Sequence, residues 1–150
     1  IKTDHFHMTL KFLGKTPNSQ IEEISRVLRV VSMESPCFEM KIDGIGLFGS
    51  QYNPRVIWMG LEPKDRLLEL HKKVIKKLLT LGIESDRQNF VPHLTIGRIK
   101  EIKDKQLFQK IISNFSTLEI QIENVTEIIL YESILRRDGP LYVNVFTALL

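Results

Sequence analysis

Apolar residues follow two alternating patterns along the chain. Apolar residues at every second position are typical of a half-buried strand, and those three and four positions apart are typical of an amphipathic helix. The first pattern predicts strands over 5–13, 38–42, 55–61, 91–99, 118–125, 127–135 and 141–148. The second pattern predicts helices beginning near Ser19, over 67–81 and over 103–115. The chain therefore combines both kinds of element throughout its length.

The predicted ends of these elements carry suitable residues. Ser19 and Glu22 have the spacing of a capping box at the start of the first helix. Gly82 follows the second helical pattern and is predicted as its C-cap, because glycine adopts the left-handed conformation without strain. Three glycines after the second strand predict bends or bulges there: Gly44, Gly46 and Gly49.

The composition is that of one globular domain. The chain has 150 residues, of which 43% are hydrophobic and 26% charged, and this excludes wholesale disorder. No apolar run in the sequence reaches membrane-spanning length. Cys37 is the one cysteine, which excludes an internal disulfide and a cysteine cluster for zinc and favours a reducing, cytoplasmic compartment. The net charge of +3 permits an anionic partner without identifying it.

A short pattern occurs twice. The residues His-Met-Thr-Leu at 7–10 recur as His-Leu-Thr-Ile at 93–96, and a helical pattern follows each copy. The strand patterns that come next, over 38–43 and 118–123, are also alike. Two copies of one strand–helix–strand unit are the simplest explanation.

The two copies differ in what precedes them. A strand pattern and a helical pattern lead into the second copy, whereas six residues precede His7. The repeat therefore predicts that a matching strand and helix, roughly thirty residues, belong before the first copy. We expect the chain to be an N-terminally incomplete domain.

Histidine and threonine alternate within both copies of the motif. Residues two apart on a strand share a face, so His7 and Thr9 point together, as do His93 and Thr95. If the copies pack about a pseudo-twofold axis, both pairs meet in one cleft. Two histidines can then act as acid and base near neutral pH, and threonine hydroxyls can donate to phosphate oxygens. Ordinary structural histidines are the alternative.

The paired motifs resemble the signatures of the 2H phosphoesterase superfamily. The resemblance rests on residues 7–14 and 92–98, with support from 55–60, 130–133 and 139–142. More narrowly, the chain is similar to RNA 2′,3′-cyclic phosphodiesterases, also called 2′-5′ RNA ligases. The resemblance implies one α+β domain over 1–150 with two pseudo-symmetric lobes. Each lobe would present an antiparallel sheet to a central cleft, with helices outside.

The resemblance also implies a reaction and its residues. A terminal RNA 2′,3′-cyclic phosphate is hydrolysed to a 2′-phosphate without metal or cofactor, and some members also catalyse 2′-5′ ligation. His93 is then the base and His7 the acid, while Thr9 and Thr95 hold the phosphate. Arg98 matches a basic residue of the second motif and is expected to add charge there. A phosphodiesterase of small cyclic nucleotides and a non-catalytic module that binds RNA ends remain the alternatives.

Three further side chains are candidates for RNA contact. Lys11 shares the predicted face of the first motif and is expected at the cleft mouth near the RNA backbone. An ordinary exposed lysine is the alternative. Phe48 and Phe90 are predicted either to stack on a base or to pack in the core. Because one chain carries both motifs, we expect a monomer.

Three other residues receive lesser roles. His5 lies two positions before His7 and is expected at the rim of the site, with metal binding as the minor alternative. His71 lies in a lysine-rich helix and is predicted to be solvated. Trp58 is predicted to lie in the core.

Overall fold

The computed structural model describes residues 6–50, 53–137 and 139–150. The helices are α1 (Asn18–Met33), α2 (Lys64–Leu79) and α3 (Lys105–Asn114). The strands are β1 (Phe38–Ser50), β2 (Asn53–Glu62), β3 (His93–Arg98), β4 (Glu119–Val125), β5 (Glu127–Arg136) and β6 (Gly139–Leu149). They form two antiparallel sheets, ordered β3-β2-β1-β4 and β5-β6. The predicted α+β class is therefore confirmed.

The first motif lies outside the strands. A strand is predicted over 5–13, but residues 6–17 belong to no helix or strand. Apolar alternation predicts which side chains would share a face of a strand. A strand forms only where a neighbouring strand completes its backbone hydrogen bonds. Leu10 and Leu13 nevertheless pack against a buried core, so the apolar anchoring of this segment is retained.

The start of α1 and the end of α2 test the predicted capping box and the predicted C-cap. Helix α1 begins at Asn18 after Pro17, which has φ −63° and ψ 143° and makes no side-chain capping bond. Proline has its φ preset near the helical value, so the helix begins directly after it and Ser19 lies inside the first turn. The predicted capping box is therefore wrong. The prediction for Gly82 is confirmed, because it has φ +76° in the turn after α2.

The chain divides into two compact units. The sheet unit contains residues 6–9, Glu39–Leu67 and Val91–Glu123, and therefore the four-stranded sheet and α3. The hairpin unit contains Leu10–Phe38, Leu68–Phe90 and Asn124–Leu150, and therefore α1, most of α2 and the β5–β6 hairpin. The histidine and threonine of each motif belong to the sheet unit: His7, Thr9, His93 and Thr95.

The core of the hairpin unit lies between its helices and its hairpin. It consists of Ile24, Leu28 and Val31 of α1, Leu70, Val74 and Leu78 of α2, and Ile128, Leu130 and Ala148 of the hairpin. On both helices these residues recur at three- and four-residue intervals, which places them on one face. The apolar periodicity of the two helices therefore accounts for their part of this core.

The four-stranded sheet has two different faces. Ile42 of β1 pairs with Leu61 of β2, and both are buried together with Leu94 of β3. His93 and Thr95 flank Leu94, so they project from the opposite face. We call this opposite face of β1, β2 and β3 the motif face. In the described parts of the chain, no helix has the length and apolar character needed to cross a bilayer.

Candidate active site

Strand β3 presents the second motif on the motif face. His93 pairs with Gly60 of β2, and Thr95 pairs with Trp58. Both motif side chains are half-buried, whereas Leu94 between them is buried. The second motif therefore has the shared face that its spacing predicts, with surface left for a substrate.

A backbone carbonyl determines which nitrogen of His93 carries hydrogen. The Nδ1 atom lies 2.7 Å from the carbonyl oxygen of Val91. A carbonyl oxygen only accepts hydrogen bonds, so Nδ1 is the donor. In the neutral imidazole, Nε2 is then the atom with a free lone pair. His93 is therefore prepared to accept a proton at Nε2.

Two aromatic rings support the imidazole of His93. The Phe48 ring meets it edge-on, with centroids 4.7 Å apart and planes at 90°. The Trp58 ring packs on Phe48 at 5.2 Å and lies 6.2 Å from His93. Such edge-to-face contacts are a favoured aromatic geometry. Trp58 thus lies on the motif face rather than with the buried leucines, which corrects its assignment to the core.

Gly46 provides the space for the Trp58 indole. The two residues are cross-strand partners, and a Cβ on Gly46 would lie 2.1 Å from Cζ2 of the indole. The register of β1 shifts at Gly44 and again between Phe48 and Gly49, but not at Gly46. The predicted bulges are therefore confirmed at the outer glycines, whereas the prediction for Gly46 is wrong. The absence of a side chain at Gly46 leaves room for the Trp58 indole to pack over β1.

A bulge in β3 turns Arg98 toward the motif face. Strict alternation would place Arg98 on the buried face, because it lies an odd number of residues from the motif histidine and threonine. The register against β2 shifts just before Gly97, as in a β-bulge. Arg98 then pairs with Val56, which shares a face with Trp58 two residues later. Cross-strand partners project together, so the exposed Arg98 joins the motif face.

The first motif lies in the same unit as the second. His7 and Thr9 belong to the sheet unit, and both are half-buried. That they face His93 and Thr95 across a cleft stays a prediction. His5, predicted at the rim, lies outside the described residues.

Lys11 has a carboxylate partner far away in sequence. Its ammonium lies 2.7 Å from Asp86 Oδ1, and 8% of its side chain is exposed. Both residues belong to the hairpin unit. The role of Lys11 beside the RNA backbone stays a prediction. The spacing of the motif gives no sign of this ion pair, because its partners are 75 residues apart.

His71 and Phe90 stack face to face. Their ring centroids are 3.9 Å apart, and their planes differ by 4°. Burial lowers the pKa of His71, since it disfavours the charged imidazolium. The prediction that His71 is solvated is therefore wrong. The stack also gives Phe90 a packing partner, which favours the packing alternative for this residue.

A cavity of about 400 Å³ borders the second motif. It is lined by Asp43, Gly44, Ile45, Trp58, Gly60, Glu62, Lys64, Val91, Pro92, Ser116 and Thr117. Within the described chain, the buried Nε1 of Trp58 has no hydrogen-bond partner. The volume falls in the range of small-ligand pockets. The cavity thus lies beside the second motif, without His93 or Thr95 in its lining.

Sequence comparison identifies enzymes similar to this chain. The 2′-5′ RNA ligase superfamily profile matches residues 3–133. The RNA 2′,3′-cyclic phosphodiesterase of Thermotoga maritima is 34% identical over 144 residues, covering 95% of this chain and 74% of that protein. The enzyme of the same name from Aquifex aeolicus is also 34% identical over 144 residues, covering 95% and 76%.

Solved structures share the fold. A protein of Thermus thermophilus matches with a TM-score of 0.84 at 21% identity, covering 100% of this chain and 80% of that one. Escherichia coli LigT, complexed with 3′-AMP, matches with a TM-score of 0.77 at 22% identity, covering 100% and 79%. By its sequence profile and its close relatives, this chain belongs to the 2′-5′ RNA ligase superfamily.

Proposed function

We propose that this chain is an RNA 2′,3′-cyclic phosphodiesterase that converts terminal cyclic phosphates to 2′-phosphates. Two curated relatives, each 34% identical over almost the whole chain, carry this name. The observation that carries the chemistry is the bond from His93 Nδ1 to the Val91 carbonyl. It leaves Nε2 as a base on the face that also bears Thr95 and Arg98.

The proposed reaction is a single displacement at phosphorus. His93 Nε2 takes a proton from water while the water oxygen bonds to phosphorus. The P–O3′ bond breaks, and His7 gives its proton to O3′. The products are a 3′-hydroxyl and a 2′-phosphate. With a 5′-hydroxyl in place of water, the same steps form a 2′-5′ linkage.

The remaining motif residues act on the phosphate. The hydroxyls of Thr9 and Thr95 donate to its non-bridging oxygens, where charge develops. Arg98 adds a permanent positive charge from the motif face. The steps require neither a metal nor a cofactor.

Phe48 is retained as a contact for the terminal base. Its ring already touches the His93 imidazole, so it lies beside the position proposed for the phosphate. Aromatic rings commonly grip unpaired RNA bases by stacking. We also propose a cytoplasmic monomer, because one chain carries both motifs and Cys37 suits a reducing compartment.

Alanine substitution of either motif histidine tests this function. His7→Ala and His93→Ala should each lower kcat on an oligoribonucleotide ending in a 2′,3′-cyclic phosphate by at least about 100-fold, the scale of general acid–base catalysis. Lys72→Ala, at an exposed position of α2, should keep wild-type activity, and circular dichroism checks folding of all three variants. Near-full activity of either histidine variant contradicts the shared mechanism.

The same assay separates the alternatives. A small-substrate phosphodiesterase would turn over a mononucleotide 2′,3′-cyclic phosphate with a higher kcat/KM than the oligonucleotide. A binding module would bind the RNA end without turnover, and neither histidine substitution would alter its affinity.

A further inference from the structure

Both motif-bearing segments have anchors in the hairpin unit. Lys11 follows Thr9 by two residues, and Phe90 precedes His93 by three. Lys11 and Phe90 both belong to the hairpin unit, whereas the motif residues belong to the sheet unit. The contacts of Lys11 and Phe90 within the hairpin unit therefore affect where both motifs are placed.

The first anchor is the ion pair of Lys11 with Asp86. The ammonium-to-carboxylate distance is 2.7 Å, with 8% of the Lys11 side chain and 52% of the Asp86 side chain exposed. Residues 6–17 have no strand pairing, so side-chain contacts must hold this segment in place. Leu10 and Leu13 supply the apolar contacts, and Lys11 supplies a directional polar one.

The second anchor is the stack of Phe90 on His71. The parallel rings, 3.9 Å apart, hold the loop between α2 and β3 against α2. Asp86 lies in the same loop. The charge of Asp86 raises the pKa of His71 and that of Lys11 lowers it, both less strongly than burial does. The four side chains are therefore close enough to form one group, the Lys11 cluster of Lys11, His71, Asp86 and Phe90.

We propose that the Lys11 cluster is a positioning device for the two motifs. It ties the segment that carries His7 to the loop that leads into His93, and so sets the distance between the two histidines. The inference rests on the proposed function, because that distance matters for catalysis only if both histidines act on one phosphate. Lys11 then acts through Asp86 rather than by contact with RNA.

Asp86 distinguishes this role from direct RNA binding by Lys11. If Lys11 binds phosphate, removal of the competing carboxylate frees its ammonium and strengthens RNA binding at low salt. If Lys11 positions the motifs, Asp86→Asn breaks the tie and has the same effect as Lys11→Met. The two roles therefore predict opposite results for one substitution.

The experiment measures kcat and KM on the cyclic-phosphate oligoribonucleotide. Lys11→Met and Asp86→Asn should each lower kcat by about 10- to 100-fold, the cost of misplacing catalytic groups by about 1 Å, with KM little changed. The exchanged pair, Lys11→Asp with Asp86→Lys, should recover most of the lost kcat. The control Glu22→Gln breaks an exposed ion pair with Arg26 in the same unit and should keep wild-type kinetics.

Crystal structures of the wild type and Asp86→Asn give a readout independent of activity. The separation of the Thr9 and Thr95 Cα atoms should differ between them. A raised KM and a shallower salt dependence for Lys11→Met alone would establish direct RNA binding and overturn the proposal. Lowered thermal stability with unchanged kcat and unchanged separation would also overturn it. An inactive wild type would refute the proposed function. The change in the separation of the Thr9 and Thr95 Cα atoms would still test the role of the Lys11 cluster.

Discussion

At the scale of single residues, the chemistry depends on which atoms are already engaged. The Val91 carbonyl accepts a hydrogen bond from Nδ1 of His93 and thereby leaves Nε2 as the nitrogen with a free lone pair in the neutral imidazole. The carboxylate of Asp86 pairs with the ammonium of Lys11 and would compete with a phosphate for it. Residue type alone gives each side chain a range of roles, and its hydrogen-bond partners narrow that range.

His71 gives this scale a pH-dependent prediction. Its pKa in the folded chain is lowered from the ordinary value of 6.5 by burial. As the pH falls through 6.5, the unfolded chain binds a proton at His71 that the folded chain does not bind. The free energy of unfolding therefore decreases toward low pH. His71→Phe keeps a ring against Phe90 but cannot titrate.

Urea unfolding at a series of pH values measures this effect. Between about pH 7.5 and about pH 5, the free energy of unfolding should fall less for His71→Phe than for the wild type. An equal or steeper fall in the variant would show that His71 does not contribute in this way.

Sequence spacing predicts some residue placements and cannot predict others. The shared face of His93 and Thr95 follows from a spacing of two on a strand. Arg98 reaches the same face through a register shift against β2, which depends on a neighbouring strand. The Lys11–Asp86 pair joins residues 75 positions apart, and no local pattern connects them.

At the scale of elements, the packing of β1 against β2 supports the motif face. The Trp58 indole packs over Gly46 and against the Phe48 ring, and the Phe48 ring contacts His93. Glycine is required there because a Cβ would overlap the indole. The sequence pattern attributes Gly46 to a bend, since a gap for a cross-strand ring is visible only once the strands are paired.

Gly46→Ala tests this support. The added methyl group would displace the indole, so we expect a loss of about 1–3 kcal/mol in the free energy of unfolding, as for other overpacked sites. We also expect a lower kcat, because the support of His93 is disturbed. Denaturant unfolding and cyclic-phosphate hydrolysis measure the two effects.

Gly97→Ala is the matched control for stability. Gly97 lies in β3 of the same sheet, and a Cβ there would meet no atom within 4 Å. Its free energy of unfolding should stay within about 0.5 kcal/mol of the wild type, as for substitutions that disturb no packing. A Gly46→Ala protein as stable as this control would show that the indole adjusts without cost.

At the scale of the whole molecule, the two compact units do not follow the two sequence copies. Helix α1 and residues 39–43 of β1 both come from the first copy, yet α1 lies in the hairpin unit and residues 39–43 lie in the sheet unit. Both His-x-Thr motifs nevertheless lie in the sheet unit. Periodicity and repetition predict most of the elements and single out the two motifs, but assignment to units depends on contacts between distant segments.

The most direct test of the two-histidine mechanism follows the oxygen of water into the product. The protein is incubated with an oligoribonucleotide ending in a 2′,3′-cyclic phosphate, in ¹⁸O-labelled water with EDTA, and the product is examined by ³¹P NMR and mass spectrometry. The mechanism predicts a 2′-phosphate with one ¹⁸O atom on phosphorus and an unlabelled 3′-hydroxyl. Formation of a 3′-phosphate, or no hydrolysis until a metal ion is restored, would contradict it.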